Sequence, residues 1–315
     1  MKHMIKHLFI CTLFIIQSCC FAEEPKKTFL IFGGKSGWIG QKIVNLLHQQ
    51  EYEVYAAESR LEKREDVEQE IEKIKPDYIF NCAGVTGTPN VDWCESHQQQ
   101  TIRSNIIGTL TLVDVAYLHG IPVTNFGTGC IYEYDEEHPL GSGIGFTETD
   151  EPNFDGSFYS KTKILLEKLL DSYPNVLNLR LRMPISSDLH PKNFITKISK
   201  YQKVINIPNS MTVLDDLLPV TIQMTLRGLK GNYNFVNPGR ISHNEILDLY
   251  KKYIDPNFTY TNFTVEEQDR ILKARRSNNE LDTTKLLQEF PEILPIQQSM
   301  IHVFERMKDS QAMLH

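Results

Sequence analysis

Tyr159 and Lys163 are the residues of this sequence whose types and spacing point most directly to chemistry. Four residues apart on a helix, the two side chains would lie on the same face, one turn apart. A lysine ammonium in that position favours the phenolate and is expected to bring the tyrosine pKa below its ordinary value of about 10. Of the 13 tyrosines, Tyr159 alone has a lysine four residues later. The pair predicts proton transfer to or from an oxygen, although a polar surface helix would look the same.

The residues upstream would supply a dinucleotide site for this pair. A short apolar strand at 28–32 is followed by GGKSGWIG and then by an amphipathic helix through Leu47. Glycines are needed where the chain turns tightly, approaches a pyrophosphate and packs helix against strand. The helix N-terminus adds free amides and a positive dipole end. We therefore predict a dinucleotide-binding turn. Its predicted contacts are Gly34, Gly37, Trp38, Ile39 and Gly40.

The following strands end where such a cofactor would lie. The second strand ends at Glu58, with Arg60 close behind. An acid at this place binds the ribose 2′-hydroxyl of NAD, whereas an arginine accommodates the 2′-phosphate of NADP. A third strand at 77–80 ends in small residues that let a cofactor pass close to the backbone, and a fourth, at 122–126, ends just before Thr128. The small residues are Asn81, Ala83 and Gly84.

Strands and helices alternate along the N-terminal part of the chain, which predicts an α/β fold with a doubly wound parallel sheet of the Rossmann type. After the Tyr159 helix, a strand at 175–182 breaks off at Pro184 and the pattern changes. We predict a dinucleotide-binding domain over residues 25–185. A smaller C-terminal substrate lobe over 186–315 would follow the sheet or be interleaved with it.

Composition argues against several kinds of partner. The chain has 315 residues, 41% hydrophobic and 23% charged, as is ordinary for an α/β protein. Its formal net charge is −7 and it has no basic cluster that would follow a phosphate backbone, so we expect no nucleic-acid binding. Beyond residue 24 the cysteines are Cys82, Cys94 and Cys130, widely spaced and odd in number. That pattern argues against a disulfide framework or a zinc site, and we expect no metal.

Residues 1–24 have the pattern of a secretory signal. Basic residues precede a short apolar run at 8–16, and a small residue stands before the charged start at Glu23. The run is too short to span a bilayer, so we expect no integral membrane domain beyond this segment. A non-essential extension or a misassigned start codon would give the same pattern.

Longer segments resemble the extended short-chain dehydrogenase/reductase superfamily and, within it, the plant-type nucleotide-rhamnose synthases. The superfamily pattern is carried by the glycine-rich turn, NCAG at 81–84, Thr128 after a strand, and Tyr-x-x-x-Lys. The segments similar to the narrower branch extend from about residue 28 to about residue 305. They are GWIG (37–40), AGVTGTPNVDWCESH (83–97), TGCIYEYD (128–135), HPLGSGIGF (138–146), FYSKTK (158–163), RMPISSDL (182–189), NFITKI (193–198), IPNSMT (207–212), NPG (237–239), SHNEIL (242–247) and RSNNELD (276–282).

The resemblance implies catalytic roles. In the superfamily the matching tyrosine is the acid in carbonyl reduction, the lysine lowers its pKa and holds the nicotinamide ribose, and the threonine binds the carbonyl. These positions are Tyr159, Lys163 and Thr128. In the narrower branch a cysteine and a lysine form the acid/base pair for epimerisation, and they match Cys130 and Lys197. Without the resemblance, we would interpret Cys130 as a small buried residue and Lys197 as a surface lysine.

The resemblance also implies ligands. We expect a nucleotide-sugar substrate to contact Thr86, Asn193 and Arg276, with the arginine at its diphosphate. NADPH is the expected cofactor. NADH stays an alternative, because Glu58 stands beside Arg60 where relatives carry a small neutral residue. The oligomeric state is open, with a homodimer as the candidate.

The implied activity is that of a bifunctional 3,5-epimerase/4-reductase. It would convert a nucleotide-4-keto-6-deoxy-D-glucose, with UDP favoured over dTDP, to the L-rhamnose derivative. Alternatives are a plain dTDP-4-dehydrorhamnose reductase, a GDP-fucose-synthase-like enzyme, and a non-catalytic cofactor-binding regulatory subunit. A 4,6-dehydratase is disfavoured, because Gly129 and Cys130 follow Thr128 where such enzymes carry an acidic pair. The need for reduced cofactor and free thiols favours the cytoplasm, whereas the signal-like segment leaves a secretory or lumenal location open.

Overall fold

The structure is a computed structural model and describes residues 26–312. Its strands are β1 (Thr28–Phe32), β2 (Glu53–Ala56), β3 (Tyr78–Asn81), β4 (Val123–Thr128), β5 (Val176–Leu181), β6 (Lys203–Ile205), β7 (Gly231–Asn234) and β8 (Thr261–Phe263). Six of them form one parallel sheet in the order β2-β1-β3-β4-β5-β7. The remaining two, β6 and β8, form a separate parallel pair.

Helices follow most of the strands. Those of the described residues are α1 (Trp38–Gln49), α2 (Arg64–Ile74), α3 (Asp92–Ser96), α4 (Gln98–Ile102), α5 (Gly108–Leu118), α6 (Phe158–Leu170), α7 (Phe194–Ile198), α8 (Leu214–Leu226), α9 (His243–Tyr253), α10 (Val265–Ile271), α11 (Thr284–Glu289) and α12 (Ile296–Ala312). A π-helical turn, Arg103–Ile107, joins α4 to α5.

Both faces of the sheet are covered by helices, because successive side chains of each strand point to opposite faces. Phe29 and Ile31 of β1 pack into the core under α1, α8 and α11, whereas Leu30 and Phe32 pack into the core under α2, α5 and α6. All four side chains are buried. The structure therefore confirms the predicted doubly wound fold of the Rossmann type.

The crevice of the sheet lies where the strand order reverses. β1 has β2 on one side and β3 on the other, so the connections that leave the carboxyl ends of β1 and β3 diverge. Ligands of open α/β sheets bind at such a point. Phe32 and Asn81 are paired in register at the ends of these strands. The glycine-rich turn and Asn81 therefore flank one crevice.

A smaller lobe is formed largely by the chain beyond residue 185. Its core includes Ile195 of α7, Ile246 of α9 and Phe304 of α12, each fully buried. β7 also comes from this part of the chain, but it pairs with β5 in the main sheet. Sheet and lobe are thus interleaved along the sequence, and a division at residue 185 leaves the sixth strand of the sheet outside the first domain.

A row of asparagines crosses the sheet below α6. Asn81, Asn125, Asn178 and Asn232 share one register on β3, β4, β5 and β7. Their side-chain amides form consecutive hydrogen bonds of 2.9, 2.8 and 2.8 Å. Parallel strands buried on both faces are usually apolar, so this polar layer depends on its members satisfying one another.

Glu167 of α6 joins this row to a buried arginine. Its carboxylate accepts the Asn178 amide at 2.9 Å and pairs with Arg180 at 2.6 Å. We expect Glu167→Ala to lower the free energy of unfolding by about 3–5 kcal/mol, because it leaves the Arg180 guanidinium buried without its partner. Urea denaturation measures the change.

Glu151→Ala is the matched control for this prediction. Glu151 pairs with Lys168 at 3.1 Å, and both side chains are more than half exposed. Losing this pair should change the free energy of unfolding by less than about 1 kcal/mol. Similar losses in the Glu151 and Glu167 variants would contradict the assignment of stability to the buried pair.

Within residues 26–312, no helix has the length and apolar character needed to cross a membrane. The same residues hold no cluster of three or more His, Cys, Asp or Glu side chains arranged to bind a metal ion. Their three cysteines are free thiols. The signal-like segment predicted at 1–24 lies outside the residues that the structure describes.

Candidate active site

The chain turns sharply between β1 and α1. Gly33 has φ +80°, a conformation that residues with a side chain rarely adopt, and its carbonyl oxygen accepts the Gly37 amide at 3.0 Å. A β-carbon on Gly37 would lie 2.6 Å from that oxygen, and one on Gly40 would overlap it. The prediction from sequence omitted Gly33. The sequence feature that could have identified Gly33 is the pair of successive glycines, Gly33 and Gly34, directly after a strand.

The first turn of α1 offers backbone amides to an anionic group. The helix begins at Trp38 with Gly37 as its N-cap. The N–H groups of Trp38, Ile39 and Gly40 therefore have no acceptor within the helix. Together with the positive end of the helix dipole they can bind a phosphate group. Gly34 lies behind this turn, where a β-carbon would approach the Ala56 side chain to 3.1 Å.

The loop after β2 carries the residues predicted to meet the adenosine ribose. Glu58 forms a salt bridge with Lys35 of the glycine-rich turn. Glu70 of α2 accepts the backbone amides of Glu58 and Ser59 at 2.8 and 3.0 Å and fixes the loop. Arg60 is exposed and forms no salt bridge with any residue between 26 and 312. The Glu58 carboxylate is thus paired with Lys35, whereas the Arg60 guanidinium has no such partner among the described residues.

The end of β3 lies against the glycine-rich turn. The buried Asn81 side chain accepts the Ala83 amide at 3.2 Å. A β-carbon on Gly33 would lie 2.9 Å from the Ala83 nitrogen, so the two segments touch backbone to backbone. Gly84 faces the Asn105 side chain of the π-helical turn. Backbone is therefore exposed between the glycine-rich turn and the end of β3, which fits the close approach of a dinucleotide.

Tyr159 and Lys163 lie one turn apart at the start of α6. Ser157 caps this helix and accepts the Ser160 amide at 3.0 Å. Lys163 Nζ lies 5.9 Å from the centre of the Tyr159 ring. Thr128, buried at the end of β4, accepts the backbone amide two residues later at 3.1 Å. The strand β4 extends to Thr128, two residues beyond the predicted end at 126, and so places the threonine beside α6.

Burial is the largest influence on the pKa values of Tyr159 and Lys163. Burial raises the pKa of the Tyr159 phenol, negative charge on Cys130 acts in the same direction, and the Thr128 hydroxyl opposes them. Burial also lowers the pKa of Lys163 to about 8, with the Glu167 carboxylate opposing. The prediction that Lys163 brings the tyrosine pKa below its ordinary value is therefore wrong. The phenol is held protonated, which is the form that donates to a carbonyl oxygen.

The loop that carries Cys130 is held by three side chains that the sequence interpretation missed. Ser160 Oγ donates to the Cys130 carbonyl oxygen at 2.6 Å. Arg182 Nη1 and Asn279 Nδ2 donate to the Gly129 carbonyl oxygen at 3.0 and 3.1 Å. Arg182 is fully buried. The three residues occur in FYSKTK, RMPISSDL and RSNNELD, so the distinctive segments of the sequence converge on one loop.

Lys197 reaches the site from α7. Burial lowers the pKa of its ammonium, and the charge of Lys192 acts in the same direction. Asn193 is the N-cap of this helix and donates both side-chain N–H groups to the Ser186 and Asp188 carbonyl oxygens. Asn193 is fully buried and its side-chain donors are used within the protein. The structure therefore places this residue, predicted as a substrate contact, at the cap of the Lys197 helix.

A cavity of about 830 Å³ brings these groups together. Tyr159, Cys130 and Lys197 line it, and so do Thr86 and Arg276. Arg276 also pairs with Asp92 at 2.8 Å. Thr128 and Lys163 do not line this cavity; both border a separate space of about 10 Å³ beside α6. The charged residues that line the large cavity are lysines and arginines, and no Asp or Glu of the described residues lines it. They are Arg182, Lys197, Lys200, Lys203, Arg275 and Arg276.

The other two thiols have surroundings different from that of Cys130. Burial raises the pKa of both Cys82 and Cys94. Neither lines the large cavity, whereas Cys130 is partly exposed to it. Of the three thiols in the described residues, Cys130 is therefore the one that lines the large cavity.

Fold and site together define a nicotinamide dinucleotide-dependent enzyme built on a Rossmann sheet. The chain belongs to the NAD dependent epimerase/dehydratase family, whose sequence pattern matches residues 30–211.

Among individual proteins, the chain is similar to a bifunctional dTDP-4-dehydrorhamnose 3,5-epimerase/dTDP-4-dehydrorhamnose reductase of Arabidopsis thaliana. The two are 58% identical over 285 residues, which cover 90% of this chain and 94% of that protein. A trifunctional UDP-glucose 4,6-dehydratase/UDP-4-keto-6-deoxy-D-glucose 3,5-epimerase/UDP-4-keto-L-rhamnose-reductase of the same plant is 58% identical over 280 residues. That match covers 89% of this chain and 42% of the plant protein, so the chain spans less than half of it.

A solved structure is also similar. The crystal structure of a UDP-rhamnose synthase from Acanthamoeba polyphaga mimivirus has a TM-score of 0.86 and 40% sequence identity, covering 90% of this chain and 100% of that one.

Proposed function

We propose that this protein is a bifunctional 3,5-epimerase/4-reductase that converts a nucleotide-4-keto-6-deoxy-D-glucose to nucleotide-L-rhamnose. The observation that carries the proposal is the convergence of Tyr159, Cys130 and Lys197 on one cavity from three different elements. A plain reductase needs only the tyrosine and its partners. The 58% identity to a plant protein that carries both activities, over 94% of its length, supports the same conclusion.

The lining of the cavity supports a diphosphate-bearing substrate. The protein carries a net charge of −7, yet the charged side chains that line the large cavity are lysines and arginines. Arg275 and Arg276 pair with Glu133 and Asp92, whereas Lys197, Lys200 and Lys203 form no ion pair within residues 26–312. Guanidinium and ammonium groups bind phosphate oxygens strongly, and a local cationic surface attracts an anion despite the overall charge. The names of the relatives include both UDP and dTDP sugars, and we favour UDP.

The proposed epimerisation uses Cys130 and Lys197 as proton carriers. A ketone at C4 acidifies the hydrogens on C3 and C5, so each carbon can lose a proton and regain one on the opposite face. The hydroxyls of Tyr159 and Thr128 hydrogen-bond the enolate oxygen, where negative charge develops. The lowered pKa of Lys197 makes its neutral amine accessible closer to neutral pH.

The proposed reduction uses the same oxygen-binding pair. When bound, the reduced nicotinamide supplies hydride to C4. Tyr159 donates its phenolic proton to the C4 oxygen, and the ammonium of Lys163 stabilises the phenolate that remains. We favour NADPH, because Lys35 neutralises Glu58 and leaves Arg60 to a 2′-phosphate.

A turnover assay tests the proposal. Purified protein is given UDP- or dTDP-4-keto-6-deoxyglucose with NADPH or NADH, and cofactor oxidation and nucleotide-rhamnose are measured. We expect rhamnose product, with UDP and NADPH preferred. No cofactor consumption with any combination would reject the function, and reduction without deuterium uptake from D₂O at C3 and C5 would leave a plain reductase.

The pH dependence of proton exchange tests the role of Lys197. Deuterium exchange at C3 and C5 should rise with pH, because the amine takes the proton and its fraction grows as pH passes through the folded-state pKa. Since burial lowers that pKa, the rise should level off below about 10.4, the ordinary lysine value. Lys197→Arg, which stays protonated, should lose the rise and about 10²-fold or more of the rate.

Lys192→Arg is the control for the Lys197 variant. It makes the same substitution on an exposed lysine nearby and keeps the charge that acts on Lys197. Its pH profile should follow that of the wild-type protein. A wild-type profile in the Lys197 variant would exclude this lysine as the base.

We infer that the protein forms a homodimer through the face of α4, the π-helical turn and α6. Four large apolar side chains are exposed there, namely Ile102, Ile107, Leu165 and Leu169. A second copy would cover them, since Leu165 and Leu169 lie one turn apart on α6. Sedimentation should give a dimer that Leu165→Glu with Leu169→Glu converts to a monomer. A monomeric wild-type protein would reject the dimer.

We propose that the reaction takes place in the cytoplasm. The three free thiols of the described residues and the requirement for reduced dinucleotide support this location. Fractionation with N-terminal sequencing tests it, and a mature N-terminus at Glu23 in an extracytoplasmic fraction would contradict it.

A further inference from the structure

The tryptophan of the glycine-rich turn joins α1 to the segment 186–193, which connects β5 to α7. The Trp38 side chain is buried, and its indole Nε1 donates to Asp188 Oδ2 at 2.9 Å. The indole stacks on His190, with ring centres 5.1 Å apart and planes 5° from parallel. Lys42, one turn along α1, pairs with Asp188 at 2.7 Å. The dinucleotide turn therefore contacts this segment through a carboxylate and an aromatic pair.

The segment 186–193 in turn fixes the helix of Lys197. Asn193 Nδ2 donates to the Ser186 and Asp188 carbonyl oxygens at 2.7 and 2.6 Å, which closes the segment into a compact loop. The Asn193 side-chain oxygen caps α7, the helix that carries Lys197. Because the Asn193 side chain bonds both the Asp188 carbonyl oxygen and the N-terminus of α7, a displacement of Asp188 would also displace α7.

Neither Trp38 nor Asp188 takes part in the chemistry described above. Trp38 meets the dinucleotide through its backbone amide, and neither residue lines the large cavity. We propose that Trp38 and Asp188 are positioning residues for Lys197, so that the dinucleotide turn sets the place of the epimerisation base through the segment 186–193. This inference rests on the proposed function. Reduction should be spared, because Tyr159 and Thr128 stand on α6 and β4.

Asp188→Ala tests the inference, because it removes the carboxylate that accepts the Trp38 indole N–H and leaves the dinucleotide turn itself unchanged. Deuterium exchange at C3 and C5 of UDP-4-keto-6-deoxyglucose is measured in D₂O with NADP⁺, and reduction of UDP-4-keto-L-rhamnose is measured with NADPH. We expect exchange to slow about 10- to 100-fold while reduction and the Kd for NADPH change by less than about twofold. Equal losses in both reactions, or unchanged exchange, would overturn the inference.

The second tryptophan of the chain is replaced first, so that fluorescence reports Trp38 alone. Trp93 also stacks on a histidine, His97, with ring centres 3.9 Å apart. Its indole N–H donates no hydrogen bond to any residue from 26 to 312. Trp93→Phe should therefore leave both reactions within about twofold of the wild-type rates. Slower exchange in this variant as well would mean that exchange responds to any change of packing near the site rather than to the contact with Asp188, and would overturn the inference.

A readout that needs no turnover reports directly on the contact between Trp38 and Asp188. In the Trp93→Phe background Trp38 is the single tryptophan, so acrylamide quenching of its fluorescence reports its exposure. Adding Asp188→Ala should increase the quenching and slow exchange without slowing reduction. Unchanged quenching or unchanged exchange would overturn the inference alone. Absence of exchange in the wild-type protein would instead reject the proposed function, and this inference with it.

Discussion

Cys130→Ser is expected to slow deuterium exchange at C3 and C5 by about 10²- to 10⁴-fold while the variant still reduces UDP-4-keto-L-rhamnose. A serine hydroxyl is a far weaker acid than a thiol, whose ordinary pKa is about 8.5, and so cannot exchange protons with carbon near neutral pH. Reduction should survive because the loop is held through the backbone carbonyl oxygens of Gly129 and Cys130 rather than through the thiol. Mass spectrometry of the recovered sugar measures the first reaction and NADPH oxidation the second.

Cys94→Ala is the control for the cysteine variant. Cys94 is fully buried in α3 and does not line the cavity, so its loss should leave exchange unchanged at a temperature where the variant is folded. Exchange at the wild-type rate in Cys130→Ser would refute the role of the thiol. Equal losses of exchange and reduction would indicate instead that the loop had collapsed.

Tyr159→Phe is expected to slow reduction by about 10²- to 10⁴-fold, because it removes the proposed proton donor to the C4 oxygen. Exchange should also slow, by about 10²-fold, since the same hydroxyl stabilises the enolate. The Kd for NADPH should stay near the wild-type value, because the glycine-rich turn is unchanged. Single-turnover kinetics and a fluorescence titration measure the three quantities.

Tyr132→Phe is the matched control for the tyrosine variant. Tyr132 is fully buried and donates its hydroxyl to the Asp150 carbonyl oxygen at 2.8 Å, outside the large cavity. Its replacement should cost about 1 kcal/mol of stability and leave both reactions unchanged. If Tyr159→Phe lost reduction but kept exchange at the wild-type rate, the shared oxygen-binding role of the tyrosine would be wrong.

Much of the fold could be predicted because it depends on residues that are close together in the sequence. The apolar run at 28–32, the glycine spacing after it and the Tyr159 helix gave β1, α1 and α6 nearly at their observed bounds. The end of β4 was less predictable. Gly127 is a poor strand former, yet pairing of Gly127 and Thr128 with β5 extends the strand by two residues. Such pairing depends on a strand some fifty residues away, so the strand propensities of residues 127 and 128 do not predict it.

The sequence by itself determined which side chains can carry chemistry: a tyrosine and a lysine one helical turn apart, a threonine and a cysteine after a strand, and a cofactor turn of glycines. Only the tertiary structure decided which of them meet. Trp38 contacts Asp188 across 150 residues, and Asn279 reaches the Cys130 loop across another 150. Burial by such distant contacts raises the Tyr159 pKa and makes Asn193 the cap of a helix. Residue type and spacing specify chemical capacity, whereas solvation and hydrogen-bond partners depend on the folded chain.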